Sequence, residues 1–310
     1  MNGDDRELRR EGALPGLSRL PGVLAVLVVY RRTLAQLEPW QALRQAMEGV
    51  PAGGTLQVRQ VLIYDNSPSR MVESDSLPEG VRYYHDPTNG GTARAYAKAT
   101  ALAASESVEW VLLLDQDTRL PPDFFAAAGT ALSQTLGRLP GALLPKVAHG
   151  AAVISPSLLT PWGSTRPLAS SKGYVASGLI TGISSGAFVR TDALKAVGEF
   201  PPDLWLDYVD HWLFSRLRAR GEQILPFSAV VQHDLSIARP HCVDTNRFRS
   251  ILDGEAIFVA TLPAFARRMY RLRLFMRAVR LASTAPRHSA EILSRIFPWP
   301  FRARQHGRQR

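Results

Sequence analysis

The chain is short of cysteine: Cys242 stands alone among 310 residues. A disulfide framework is therefore excluded, as is a metal site built from several thiolates, and a reducing compartment is expected. Long apolar runs are also missing. The most apolar stretch near the N-terminus, Val23 to Tyr30, has eight residues, whereas a bilayer span needs about 20. The opening MNGDDRELRREGALPG has mixed charge and no apolar centre, unlike a secretory signal. Acidic residues are scarce at one end only. Residues 264–310 hold 12 arginines, no lysine and one acid, Glu291. Without that stretch, 25 basic and 26 acidic residues remain, so the net charge of +10 sits in the tail and the body is nearly neutral. A neutral body with a basic tail suggests a catalytic domain with an electrostatic anchor rather than a nucleic-acid groove. Several phosphate and hydrolase fingerprints are absent too: G-x-x-x-x-G-K-S/T, a G-x-G-x-x-G after the first strand, H-E-x-x-H and G-x-S-x-G.

What is present is an alternating α/β pattern. Residues 1–20 read as a flexible leader. VLAVLVVY (Val23–Tyr30) is a β-branched run suited to a strand covered on both faces. A helix is expected from a Thr33 cap towards Gly49, ended by PAGG at 51–54. Strands follow at Val58–Tyr64 and Val81–His85, an Ala-rich helix at Ala93–Ser105, and a strand at Trp110–Leu114. Pro121 and Pro122 start another helix. Short strands and turns fill about 140–190, with Ser177-Gly178 and Ser184-Ser185-Gly186 the most loop-like points. Asp192–Val197 and Asp207–Arg220 read as helices, Val230-Val231 as a strand ending at His233, and everything beyond Arg239 as helical. This order argues for a mainly parallel sheet with helices on both faces, and such sheets bind ligands beyond the carboxyl ends of their strands.

Carboxylates fall at those ends. In LDQDT, Asp115 and Asp117 stand two apart, just past a buried strand, a pattern of hard oxygen ligands suited to Mg2+ or Mn2+ and substrate phosphate. In LDYVDH, Asp207 fits a helix cap. Asp210, within the first turn, is harder to explain as a cap and is a candidate general base. His233 ends a strand, where neutral imidazole suits either a structural role or a metal. Asp65 after VLIY is open to an Asx turn or to accepting a nucleobase N–H. Asn89-Gly90-Gly91 opens a helix whose N-terminus favours an anion.

Taken together, VLAVLVVY, VLIYDNS, NGGTARAYAKA, WVLLLDQDT, ISSGAFVRTDALKAVGEF, LWLDYVDHWLFSRLRARG and VVQHDLS resemble an inverting family 2 glycosyltransferase, closest to the bacterial rhamnosyltransferases. The resemblance covers about residues 22–240. It implies a GT-A-like nucleotide-diphospho-sugar transferase fold over residues 21–240, with 241–310 as a helical Arg-rich extension. It implies Asp210 as base, Asp117 and His233 as ligands of Mg2+ or Mn2+, and Asp115 as a residue near the donor ribose or shared with the metal. Tyr30 would line the nucleotide pocket and Asp65 would recognise the pyrimidine. Asn89 and Gly91 would lie on the donor side, with Ser185 and Gly186 along the donor diphosphate or acceptor edge. The expected donor is dTDP-L-rhamnose, and the acceptor a glycan or lipid-linked saccharide of the bacterial cell envelope, handled in the cytoplasm. Tyr30-Arg31-Arg32 and Phe200-Pro201-Pro202 depart from the family pattern, and no Q-x-x-R-W is present, which argues against a processive synthase.

In the tail, Phe265, Met269, Leu272, Met276 and Val279 recur at helical spacing. They suit either a helix packed on the domain or an interfacial helix on an anionic membrane, where Phe297, Trp299 and Phe301 would also fit. Competing functions are transfer of another UDP- or dTDP-linked sugar, a metal-dependent nucleotidyltransferase, and nucleic-acid binding through the tail. The last is disfavoured because the aromatics cluster instead of interleaving with arginine.

Overall fold

In the computed structural model the described residues are 20–48, 56–72, 77–160, 162–168, 180–233 and 244–297. Most of the leader, PAGG, Ser177-Gly178, Cys242 and the aromatics Trp299 and Phe301 lie outside them. In chain order the elements are β1 (Gly22–Val29), a 3-10 turn (Leu34–Gln36), α1 (Glu38–Glu48), β2 (Gln57–Asp65), β3 (Val81–His85), α2 (Gly91–Ser105), β4 (Trp110–Asp115), β5 (Thr118–Arg119) and α3 (Phe124–Ser133). Then come β6 (Ala142–His149), β7 (Ala152–Ser155), β8 (Ser157–Leu159), β9 (Thr165–Pro167), β10 (Ile180–Thr181), β11 (Ala187–Arg190), α4 (Thr191–Val197) and α5 (Val209–Ala219). The chain continues through β12 (Ile224–His233), α6 (Thr245–Ala260), α7 (Ala264–Leu281) and α8 (Pro286–Ile296). Thr33 does cap, but it caps the 3-10 turn, and α1 starts at Glu38.

The main sheet runs β3-β2-β1-β4-β11-β6-β12-β5, with β7 paired to β6; a smaller sheet is ordered β10-β8-β9. The first four strands are parallel, as the βα alternation requires. Beyond β4 the sheet is mixed, because β11 lies antiparallel between β4 and β6. Alternate side chains of the buried strands feed two cores. Leu24, Val26, Val111 and Leu113 pack with Tyr96 and Trp212 on one face; Ala25, Leu27, Trp110 and Leu112 pack with Phe124 and Phe188 on the other. Truncating one of these leucines to alanine costs about 2–5 kcal/mol.

The C-terminal helices dock on this frame. Asp244 caps α6 by accepting from the N–H groups of Asn246 and Arg247 at 2.9 and 3.0 Å. Gly254 of α6 lies so close to the segment before α5 that a Cβ there would stand 2.6 Å from the carbonyl oxygen of Asp207. In α7 the inward face is Ala266, Leu274 and Ala278 with half-buried Tyr270. Phe265, Leu272, Met276 and Val279 from the periodic stripe are exposed.

Candidate active site

The register of β5 on β12 builds the centre of the site. Antiparallel pairing sets His233 opposite Thr118, one residue past Asp117. The imidazole Nδ1 consequently lies 3.3 Å from Asp117 Oδ1 across a separation of more than a hundred residues. The turn between β4 and β5 closes as the N–H of Asp115 donates to the buried Thr118 hydroxyl at 3.3 Å. The pairing of β11 with β4 sets Ala187 opposite Leu113, which carries Ser185 to Asp115. The Ser185 hydroxyl donates to Asp115 Oδ2 at 2.5 Å. Burial pushes the Asp115 carboxyl upward; His233 and the Ser185 hydroxyl oppose this, while the charges of Asp117 and Asp210 add to it. Three carboxylates therefore sense one another here.

Asp210 arrives from the first turn of α5. Its Oδ1 accepts from the N–H of His211 at 2.7 Å, and Oδ2 has no partner among the described residues. Asp207 is not the cap expected of it. The residue at the start of α5 is Tyr208, in a left-handed conformation with φ 63° and no side-chain cap bond. Asp207 turns instead to α6, pairing both carboxylate oxygens with Arg247, at 3.0 and 2.9 Å. Burial, offset by Arg247 and reinforced by Asp210, pushes the Asp207 carboxyl up to about 6. The same guanidinium lies 5.2 Å from the Trp205 ring centroid. Trp205 in turn donates through Nε1 to the Asn89 carbonyl at 2.6 Å. Gly91 has φ +74°, and a Cβ there would stand 2.2 Å from the Trp205 carbonyl oxygen, so only glycine fits.

These groups open onto one cavity of about 1110 Å³. Tyr30, Asn89, Gly91, Asp115, Asp117, Asp210 and His233 all line it. Tyr30 is fixed by its N–H, which donates to Gln116 Oε1 at 2.8 Å. Three predicted residues do not line it. Asp65 is fully buried and accepts from the N–H groups of Ser67 and Met71 at 2.8 and 3.0 Å and from the Tyr83 hydroxyl. Burial acts to raise its carboxyl, yet bonds from Ser67 and Tyr83 prevail and hold it below the ordinary range. Its neighbour Asn66 reaches the cavity instead. Ser185 lies behind Asp115, and Gly186, at φ +84°, packs against Pro145 and Val231; Ser184 is the lining serine of that loop. Trp205, Arg247, Ser184 and Gln116 are site residues that local pattern does not single out, because their roles depend on partners far away in the chain.

Among the described residues no three of His, Cys, Asp and Glu come together closely enough to cage a metal. The donor set is the pair Asp117–His233 beside Asp115. His233 Nδ1 is buried without a hydrogen-bond partner, and the adjoining carboxylates concentrate negative charge. That suits a hard cation which takes one or two protein ligands and completes its shell with water and phosphate.

The architecture is a GT-A fold. GalNAc-T7, solved with UDP, GalNAc and Mn2+, superposes with a TM-score of 0.51 at 11% identity, over 87% of this chain and 59% of that one. The chain thus spans about three fifths of that structure's length. S. aureus TarS 1-349, solved with UDP-GlcNAc, aligns at 14% identity with a TM-score of 0.45, over 91% of this chain and 93% of that one. Residues 26–134, from within β1 to just past α3, match Glycosyl transferase family 2. No curated protein matches the chain.

Proposed function

We propose that the protein is an inverting glycosyltransferase that moves L-rhamnose from dTDP-L-rhamnose to a glycan or lipid-linked acceptor in bacterial cell-surface polysaccharide synthesis. One observation carries the reading: Asp117 in the β4–β5 turn, His233 at the end of β12 and Asp210 in the first turn of α5 line a single cavity. The family match over 26–134 and the GT-A fold support a transferase that uses a nucleotide sugar. The choice of rhamnose and thymidine rests on the resemblance of LDQDT and LDYVDHW.

Asp117 Oδ1 and His233 Nδ1, with Asp115 beside them, would hold Mg2+ or Mn2+. When bound, such an ion neutralises the charge gathering on a departing diphosphate. Ser185 holds Asp115 in place by its hydrogen bond. Tyr30, Asn89 and Gly91 line the nucleotide side, and Asp65 braces the loop that presents Asn66. Asp210 Oδ2 takes the acceptor hydroxyl proton as that oxygen attacks the anomeric carbon from the face opposite the diphosphate. The new C–O bond forms as the sugar–phosphate bond breaks, so one displacement inverts the anomeric centre. The acceptor enters past the C-terminal helices, whose Arg277, Arg280 and Leu281 line the cavity.

The test is a panel of purified nucleotide sugars offered with candidate acceptors, the products being read by mass spectrometry and anomeric NMR. A rhamnosyl product of inverted configuration from dTDP-rhamnose is expected. Transfer only from a UDP-sugar would change the donor. Pyrophosphate release from a nucleoside triphosphate without sugar transfer would replace the reading with nucleotidyl transfer.

A further inference from the structure

Helix α7 is amphipathic in an unusual sense, because most of its large apolar side chains are exposed while its buried face is mainly small. Phe265, Leu272, Met276 and Val279 follow one another at spacings of seven, four and three along one face, and are 49, 54, 59 and 61% exposed. Trp162, itself 58% exposed, packs edge-on against Phe265 at 5.2 Å and extends the patch. The inward face holds only Ala266, Leu274 and Ala278 fully buried. A contiguous run of exposed large apolar side chains marks a contact surface.

Charge identifies the contact. Helix α7 carries six arginines and no acid. Only Arg277 is ion-paired among the described residues, with Glu255. Arg271 and Arg273 bond to carbonyl oxygens, of Ile296 and Gly163 at 2.8 and 2.6 Å, which anchors them without cancelling their charge. Exposed apolar residues set among uncompensated arginines fit a bilayer of anionic lipid, with the apolar groups at the headgroup boundary and the arginines on phosphate. The same helix reaches the active-site cavity: Arg277, Arg280 and Leu281 line its wall, followed by Thr284.

The geometry points to α7 as a membrane-docking helix that seats the protein on anionic lipid with the cavity beside the lipid surface. The exposed stripe enters the headgroup layer, and Arg280 and Leu281 form the lip between bilayer and cavity. This deepens the acceptor side of the function proposed above and rests on it for the purpose of the cavity, whereas lipid binding itself is measurable without turnover.

The experiment compares the full chain with Leu272→Glu/Met276→Glu and with Arg268→Gln. Each is mixed with phosphatidylglycerol–phosphatidylcholine vesicles and with pure phosphatidylcholine vesicles, and sedimented. The full chain should bind the mixed vesicles and lose that binding in high salt. The double variant should lose at least about tenfold in partition, and Arg268→Gln about fivefold, at about 1 kcal/mol per basic group. Both should keep the parent melting temperature, since these side chains are exposed. Failure of the full chain to bind anionic vesicles overturns the proposal, as does equal partition of parent and double variant. A dimer in solution that the double variant converts to monomer would also overturn it, by giving the face to a second copy. Loss of sugar transfer to a soluble acceptor bears only on the glycosyltransferase reading, because the vesicle assay contains no donor.

Discussion

At the carboxyl rim of the main sheet, carboxylates and an imidazole are placed by strand register. The pairing of β5 with β12 sets Asp117 against His233, and that of β11 with β4 sets Ser185 against Asp115. On the other side of the same cavity the wall comes from α6 and α7, which follow the sheet in the chain, and its charged groups are the arginines Arg247, Arg277 and Arg280. Hydrogen bonding along strands fixes the first set to within a residue, since a one-residue slip would turn every side chain to the other face. The second depends on a few tertiary contacts: Arg247 on Asp207 and Trp205, and Gly254 against the Asp207 carbonyl. In the proposed reaction the chemistry falls to the rim, and the helical wall positions the segment carrying Asp210.

The largest effect that would sharpen this division is on the base. Asp210→Asn should lose about 10² to 10⁴ in kcat while donor affinity stays unchanged by calorimetry. Normal turnover on the true acceptor would move the base elsewhere. Next comes the helical clamp. Arg247→Ala leaves Asp207 buried without its cation and should cost about 3–5 kcal/mol in denaturant unfolding at neutral pH. Its kcat should fall with little change in donor affinity, and Arg247→Lys should recover part of both. If kcat is untouched after the stability loss is allowed for, α6 is only scaffolding.

At the rim, Asp117→Ala should weaken metal-dependent nucleotide binding by at least about tenfold, the loss that even an outer partner of a metal ligand produces. Metal-free nucleotide affinity should not change. Equal affinity with metal in both proteins would remove the cation from the site.

The last effect concerns pH. The Asp207 carboxyl sits at about 6 in the folded chain, above its unfolded value of about 3.9. Folding therefore favours the protonated form. The stability this contributes is full below about pH 4 and disappears as pH rises through about 6. Asp207→Asn should flatten that part of the curve relative to the parent, as read from melting temperatures between pH 4 and 7. Identical slopes would mean that Asp207 is not the titrating group.

Much of the sheet was legible in the residues. Runs such as WVLLL and VLIY carry no polar side chain before their last residue, so they had to be buried strands, and Asp65 and Asp115 had to fall at their ends. Asp117, Asp210 and His233 could be selected because hard ligands and a base recur at the termini of such elements. Asp207 misled because acidic residues before helices usually cap them, and its partner Arg247 lies in a helix that local pattern cannot place. Asp65 was drawn toward a ligand, yet its oxygens are taken by Ser67, Met71 and Tyr83. The stripe on α7 showed its period but not its direction, since apolar spacing looks the same whether a helix faces a core or a membrane.

By itself the sequence determined the strands, their order and the placement of acids at their ends, because burial and backbone pairing act on neighbours along the chain. It also determined that the positive charge belongs to the tail. Only the tertiary structure decided which carboxylate meets His233, which residue clamps Asp207, and that α7 turns its apolar stripe outward. Those outcomes depend on contacts between residues far apart in the chain, whose energies appear only when register and helix docking bring them within a few ångströms.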